Sequence, residues 1–319
     1  MKNLLYLLLC VVCCSLGCHT NVDEFIPYPT VVNPGERFDG DFFDRVTPPA
    51  ARYAVDLDET SIVETADGTQ LELAAGALVD AAGVPATGAA ELLLDYAPRL
   101  GDLIRYRRVS TDAQGALLRT SGQLAVRFQR DGTPLSLADG ATLRVRYAAE
   151  GATNADETLF RGVTATRPDA VRIAGWAALP NTDVLADEWD TQNGLISGYR
   201  FAAPGAGWWQ LGAYVDPALP RTTICAGFEP SYDAANTVVF AVFPELPAVV
   251  ELYDADTNGE FCLDGIPVGT AVDYLSITEK ADDTYELARF TSTVQAEQRV
   301  DLVPTPRSLM AIEAVLNSY

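Results

Sequence analysis

The chain is nearly without histidine, lysine and methionine, and the first two shortages exclude specific chemistry. The one histidine, His19, stands ahead of every fold-forming pattern, so residues 51–319 hold none. A Ser-His-Asp or Cys-His arrangement therefore cannot be built in that body, nor can a zinc site that relies on imidazole. Lysine occurs only at Lys2 and Lys280, so positive charge is almost wholly arginine. Acidic residues outnumber basic ones 44 to 22, a net charge of −22. Phosphate backbones are held by clustered positive charge, which excludes nucleic acid as a partner. The local basic run of Arg99, Arg105, Arg107 and Arg108 reads as a solvated strand or loop. Hydrophobic residues make up 48% of the chain, enough to bury cores in two domains of ordinary size.

A membrane-spanning run is also missing. The apolar stretch from Leu4 to Leu16 falls short of the roughly 20 residues such a helix needs and has the length of a signal-peptide core. It follows Met1-Lys2 and leads into Gly17-Cys18, a layout that resembles a bacterial lipoprotein signal, with Ser15 where the lipobox usually has leucine. The resemblance implies loss of residues 1–17 and a diacylglycerol on Cys18. The expected location is then the outer membrane, on its periplasmic or cell-surface face, with the membrane as partner through the lipid.

Cysteine is sparse beyond that point. Cys10, Cys13 and Cys14 leave with the signal, and Cys225 and Cys262 remain in one C-terminal region. In an exported protein such a pair is expected to be joined, and closing that loop is worth about 4 kcal/mol in the chain-entropy model. Two separate buried thiols are the competing reading.

What is present is mostly alternation. From position 18 to about 50, Pro27, Pro29, Pro34, Pro48 and Pro49 among polar residues mark a spacer between anchor and body. Further on, Leu124, Val126 and Phe128 alternate with polar residues, as do Leu143, Val145 and Tyr147 with Arg144 and Arg146. These are half-buried strands. The dipeptides Asp67-Gly68, Asp131-Gly132, Asp139-Gly140 and Asn258-Gly259 punctuate them as tight hairpin turns. The predicted fold is all-β: tandem antiparallel β-sandwiches at about 51–150 and 218–319, closed by a short helix on which Leu309, Ile312, Val315 and Leu316 share one face behind a Ser308 cap. The β-rich segment 151–217 either forms a small subdomain or completes the first sandwich.

The run Gly68 to Asp80, continued by Gly83, Gly88 and the strand Glu91 to Asp95, resembles a module of Bacteroidota surface lipoproteins similar to the ZU5 β-sandwich, with Ala74 where that module usually has proline. Gly207-Trp208-Trp209, Asp216-Pro217 and the strand Thr237 to Phe243 are similar to the second half of the same family. Asp256 to Gly269 resembles the hairpin of carboxypeptidase-regulatory-like, transthyretin-type sandwiches. The resemblance implies structural or accessory modules and brings no catalytic residues.

Two further patterns bear on ligands. Asp254, Asp256 and Asn258-Gly259 match the opening of an EF-hand loop, making calcium the one cofactor the sequence offers. The twelfth position is Gly265, where a bidentate glutamate belongs, so Asp264 would have to supply the missing oxygen in another geometry. A hairpin turn is the competing reading. Trp176, Trp189, Trp208 and Trp209, with Tyr199, would make an aromatic platform for sugar rings, centred on Trp208-Trp209, unless the sandwich core takes them up. No pair of carboxylates stands out for glycosidase chemistry. The sequence thus predicts a non-enzymatic envelope protein acting as a structural or interaction module with a protein or polysaccharide partner. A carbohydrate-binding surface lipoprotein and a carboxylate-dependent hydrolase are its rivals.

Overall fold

The computed structural model describes residues 38, 40–149, 151, 153–165, 172–192, 194–256, 260–280 and 284–319. Cys18, His19 and the Asn258-Gly259 turn lie outside the described residues.

The first sandwich is built from β1 (Ala51–Asp56), β2 (Ser61–Glu64), β3 (Gln70–Leu73), β4 (Leu78–Val79), β5 (Ala89–Ala97), β6 (Leu118–Arg130), β7 (Thr133–Leu137), β8 (Leu143–Ala148), β9 (Thr158–Ala165), β10 (Arg172–Ala178), β11 (Leu185–Thr191), β12 (Gly194–Ala203) and β13 (Gly207–Tyr214). One sheet runs β1-β5-β6-β13-β9-β10, with β7 beside β6 and β4 beside β7. The other runs β11-β12-β8-β3-β2. Segment 151–217 therefore completes the first sandwich, because β13 lies inside the larger sheet and β12 inside the smaller. Alternation puts Leu92, Leu94, Leu124, Val126 and Phe128 of one sheet against Leu71, Val145, Tyr147, Tyr199 and Phe201 of the other. At Asp131-Gly132 both residues have positive φ, +51° and +76°, which lets two residues join β6 to β7 without splaying them.

The second sheet system comprises β14 (Arg221–Gly227), β15 (Thr237–Phe243), β16 (Ala248–Asp256), β17 (Glu260–Pro267), β18 (Ala271–Lys280), β19 (Thr284–Thr293), β20 (Gln298–Asp301) and β21 (Thr305–Arg307), ordered β20-β14-β17-β16-β15-β18-β19-β21. Every neighbouring pair is antiparallel except β14 with β20. One core holds Ile224, Val239, Phe243, Val250, Phe261 and Tyr274. All seven residues of β15 are buried, which explains the unbroken apolar run TVVFAVF: the second face of this strand is covered as well. Its cover is helical.

Three short helices provide it: α1 (Phe42–Val46), α2 (Leu100–Arg105) and α3 (Leu309–Leu316). Their Phe42, Val46, Leu103, Ile104, Ile312 and Leu316 pack on Val238, Phe240, Leu275, Ile277 and Tyr285. The Ser308 side chain accepts a hydrogen bond from the Ala311 amide at 3.2 Å, the N-cap expected for α3. Part of the proline-bearing stretch read as spacer is thus folded, since α1 sits in the C-terminal core. The Glu279 carboxylate holds it there by accepting from the Asp41 and Phe42 amides at 3.3 and 3.1 Å.

Of the arginine run read as solvated, Arg99 is exposed, but Arg105, Arg107 and Arg108 are not free in solvent. Between β5 and β6, α2 leaves the first sandwich to join the second. Arg105 donates to Asp102 at 2.7 Å and to the Asn317 side chain at 2.6 Å. Arg107 forks onto buried Glu251 of β16 at 2.5 and 3.1 Å, and Arg108 lies 4.5 Å over the Trp208 ring. These guanidinium groups tie the two sandwiches together, and leaving Glu251 unpaired would be costly. No helix among the described residues is long and apolar enough to cross a membrane.

Candidate functional site

A cleft of about 590 Å³ opens between the sheets of the first sandwich, where edge strand β1 and the end of β5 face the β2–β3 turn and the start of β12. The turn is drawn tight by amide bonds from Gly68 to the Thr65 carbonyl (3.0 Å) and from Thr65 to the Thr69 carbonyl (2.9 Å). Behind it, buried Trp189 donates its indole N–H to the Gly68 carbonyl at 2.9 Å. Gly68 has φ +92°, and a Cβ there would meet the Ile196 and Thr191 side chains at 3.0 and 3.1 Å. Asp67 is thereby fixed at the cleft wall.

Its carboxylate is ringed by hydroxyl groups. Thr65 and Tyr96 both donate short hydrogen bonds to it, and Thr69 donates at 3.4 Å. Thr69 is fully buried; it also lies 3.1 Å from the Tyr96 hydroxyl and accepts from the Ala148 amide at 3.0 Å. Burial pushes the Tyr96 phenol far above its ordinary range, reinforced by Tyr147 and by the Asp67 charge. Burial raises Tyr53 as well, with Asp67 adding to it. Both phenols therefore keep their protons at any biological pH and remain donors. Leu94, Leu195 and Ile196 supply an apolar wall, and Ser197 adds a further hydroxyl. Arg99 and Asp102 line the cleft as well. A concave site that sets convergent polar groups beside apolar surface is the form of a small-ligand pocket, and this one favours ligands rich in hydroxyl groups.

The residues singled out from sequence lie elsewhere. Trp209 points into the sandwich core and is fully buried, as is Trp176, whose indole donates to the Val109 carbonyl at 2.7 Å. Trp208, one residue along β13, faces the opposite way, beneath Arg108 and edge-on to Tyr106 at 5.4 Å. Tyr199 is buried and accepts from the Asn154 amide at 2.7 Å. Of the two readings the sequence leaves open, core burial therefore holds for Trp209, and no aromatic platform forms at Trp208-Trp209. Strand alternation sends one ring inward, and the segment after α2 covers the other.

Cys225 and Cys262 are directly opposite in the β14–β17 register and are joined, S–S 2.09 Å. With Glu260 they are the one group of metal-capable side chains that converges among the described residues, but the bonded sulfurs offer no thiolate. Alkylation of denatured, unreduced protein is expected to label neither Cys225 nor Cys262. Two labelled thiols in material taken from its native compartment would contradict the bridge. For the calcium reading, Asp254 and Asp256 fall in the β16–β17 ladder, opposite Phe261 and Glu260 across a register shift. Asn258 and the side chains of Asp254 and Asp256 lie outside the described residues. Asp264 is exposed on β17 and accepts from the Thr223 hydroxyl at 2.5 Å.

Sequence alone does not mark the cleft, because Asp67-Gly68 reads only as a turn. Its flanking threonines were the available signal; Tyr96, 29 residues away, was not. No family model matches the chain, and no curated protein does either.

Proposed function

We propose that this protein is a lipid-anchored, non-enzymatic module of a bacterial envelope, and that its body binds a carbohydrate-type ligand in the Asp67–Tyr96 cleft. One observation carries the reading: a carboxylate at the wall of a cleft with apolar and polar lining, oriented by three hydroxyl donors and flanked by phenols that keep their protons. A carboxylate accepts hydrogen bonds from sugar hydroxyls, and charged hydrogen bonds are the stronger kind. Leu195 and the Tyr53 ring offer surface to the apolar face of a pyranose. The run ending at Cys18 supports the anchor, and the similarity to Bacteroidota surface lipoproteins supports the outer membrane.

Both halves are testable. Cys18→Ser is expected to abolish fatty-acid labelling and release the protein from membranes; unchanged labelling and retention would refute the anchor. On a panel of neutral oligosaccharides, the mature protein should bind at least one member without converting it. Asp67→Asn should weaken that binding about tenfold to a hundredfold, the worth of a hydrogen bond to a charged group. Tyr96→Phe should weaken it less. Turnover that vanishes in an Asp or Glu amide variant with the fold intact would favour the hydrolase reading, and a protein that binds no glycan would favour a purely structural module.

A further inference from the structure

A second surface, on the outer face of the five-stranded sheet, carries chemistry that the cleft does not explain. Arg144 and Arg146 lie two residues apart on β8 and therefore on one face, and Arg200 of β12 stands directly opposite Arg146. Their side chains are 74%, 50% and 57% exposed. Like charges directly opposite each other destabilise a sheet. Glu72 holds Arg144 at 2.8 Å, while Asp187 serves both of the others, 3.3 Å from Arg146 and 4.0 Å from Arg200. Three guanidinium groups thus share two carboxylates on the outside of a protein whose net charge is −22. A shallow groove of about 530 Å³ runs over them, with Gln70, Glu72 and Asp183 interleaved.

We propose that this groove binds an acidic polysaccharide, its carboxylates on Arg146, Arg200 and Arg144 and its hydroxyls on Gln70 and Glu72. Planar guanidinium groups suit bidentate contact with carboxylate, and an oxyanion between Arg146 and Arg200 would relieve their repulsion. The interleaved amide and carboxylates suit a ligand that mixes anionic groups with hydroxyls. An acidic peptide fits less well. Peptides commonly add to a sheet through its edges, which here are β11 and β2, whereas the arginines sit on the interior strands β12 and β8.

The test is calorimetric titration of the full mature chain with polygalacturonate, neutral dextran and poly-glutamate. Polygalacturonate should bind, more weakly as salt is raised, and Arg146→Gln combined with Arg200→Gln should reduce its affinity at least tenfold with an unchanged near-ultraviolet circular dichroism spectrum. Asp67→Asn should leave this binding intact, which separates the groove from the cleft. The proposal is overturned if polygalacturonate fails to bind, if the double variant binds it as well as the parent, or if dextran or poly-glutamate binds this face equally well.

Discussion

Changing Phe42 to alanine is expected to cost about 3–5 kcal/mol of stability, a large share of the roughly 5–15 kcal/mol that holds an ordinary domain folded. The ring is fully buried and meets Tyr285 edge-on at 5.6 Å and Phe43 at 5.2 Å. Helix α1 has only five residues, too few to persist alone, so its order depends on this contact and on the Glu279 carboxylate at its start. Its loss would bare Phe240 and Tyr285 on the outer side of the C-terminal sheet. Denaturant unfolding followed by circular dichroism measures the cost. A change below about 1 kcal/mol would mean that α1 is not part of the folded body, because deleting a buried phenylalanine costs more than that.

Trp209→Ala is expected to be comparably damaging, about 3–5 kcal/mol, because it empties the centre of the first sandwich. Its neighbour should behave differently. Trp208→Ala removes a half-buried ring and its contact with the Arg108 guanidinium, an interaction worth about 0.5–2 kcal/mol. Neither ring lines the Asp67 cleft. Paired denaturation and glycan-binding measurements on the two variants separate the roles. A Trp209→Ala protein that keeps its stability yet loses glycan binding would restore the aromatic platform as the ligand site.

The legibility of this chain followed the range of its interactions. Strand alternation around Leu124–Phe128 and Leu143–Tyr147, the Asp-Gly turns and the Ser308 cap are local, so the all-β architecture and the closing helix could be read directly. The pairing of Cys225 with Cys262 was readable for another reason: they are the only two cysteines after position 18. Helices α1 and α2, at five and six residues, are too short to display a helical period. The arginines around α2 find partners as distant as Asn317, 212 residues from Arg105, and Glu251, 144 residues from Arg107, so a run that is basic in sequence becomes a joint between sandwiches. The tryptophans left two readings open, core or platform, because composition says nothing of which side of a strand is covered; the core takes up Trp176, Trp189 and Trp209. The cleft stayed hidden because its carboxylate and its phenol meet only when β5 closes over the β2–β3 turn.

The central claim, that the Asp67–Tyr96 cleft is the ligand site, is tested most directly by amide chemical-shift mapping of the mature protein with the neutral oligosaccharide it binds best. The account predicts shifts that cluster at Thr65, Asp67, Tyr96 and Ser197 and that need correspondingly more ligand to appear in Asp67→Asn. Shifts clustered instead around Trp208, or unchanged by the Asp67 substitution, would contradict it.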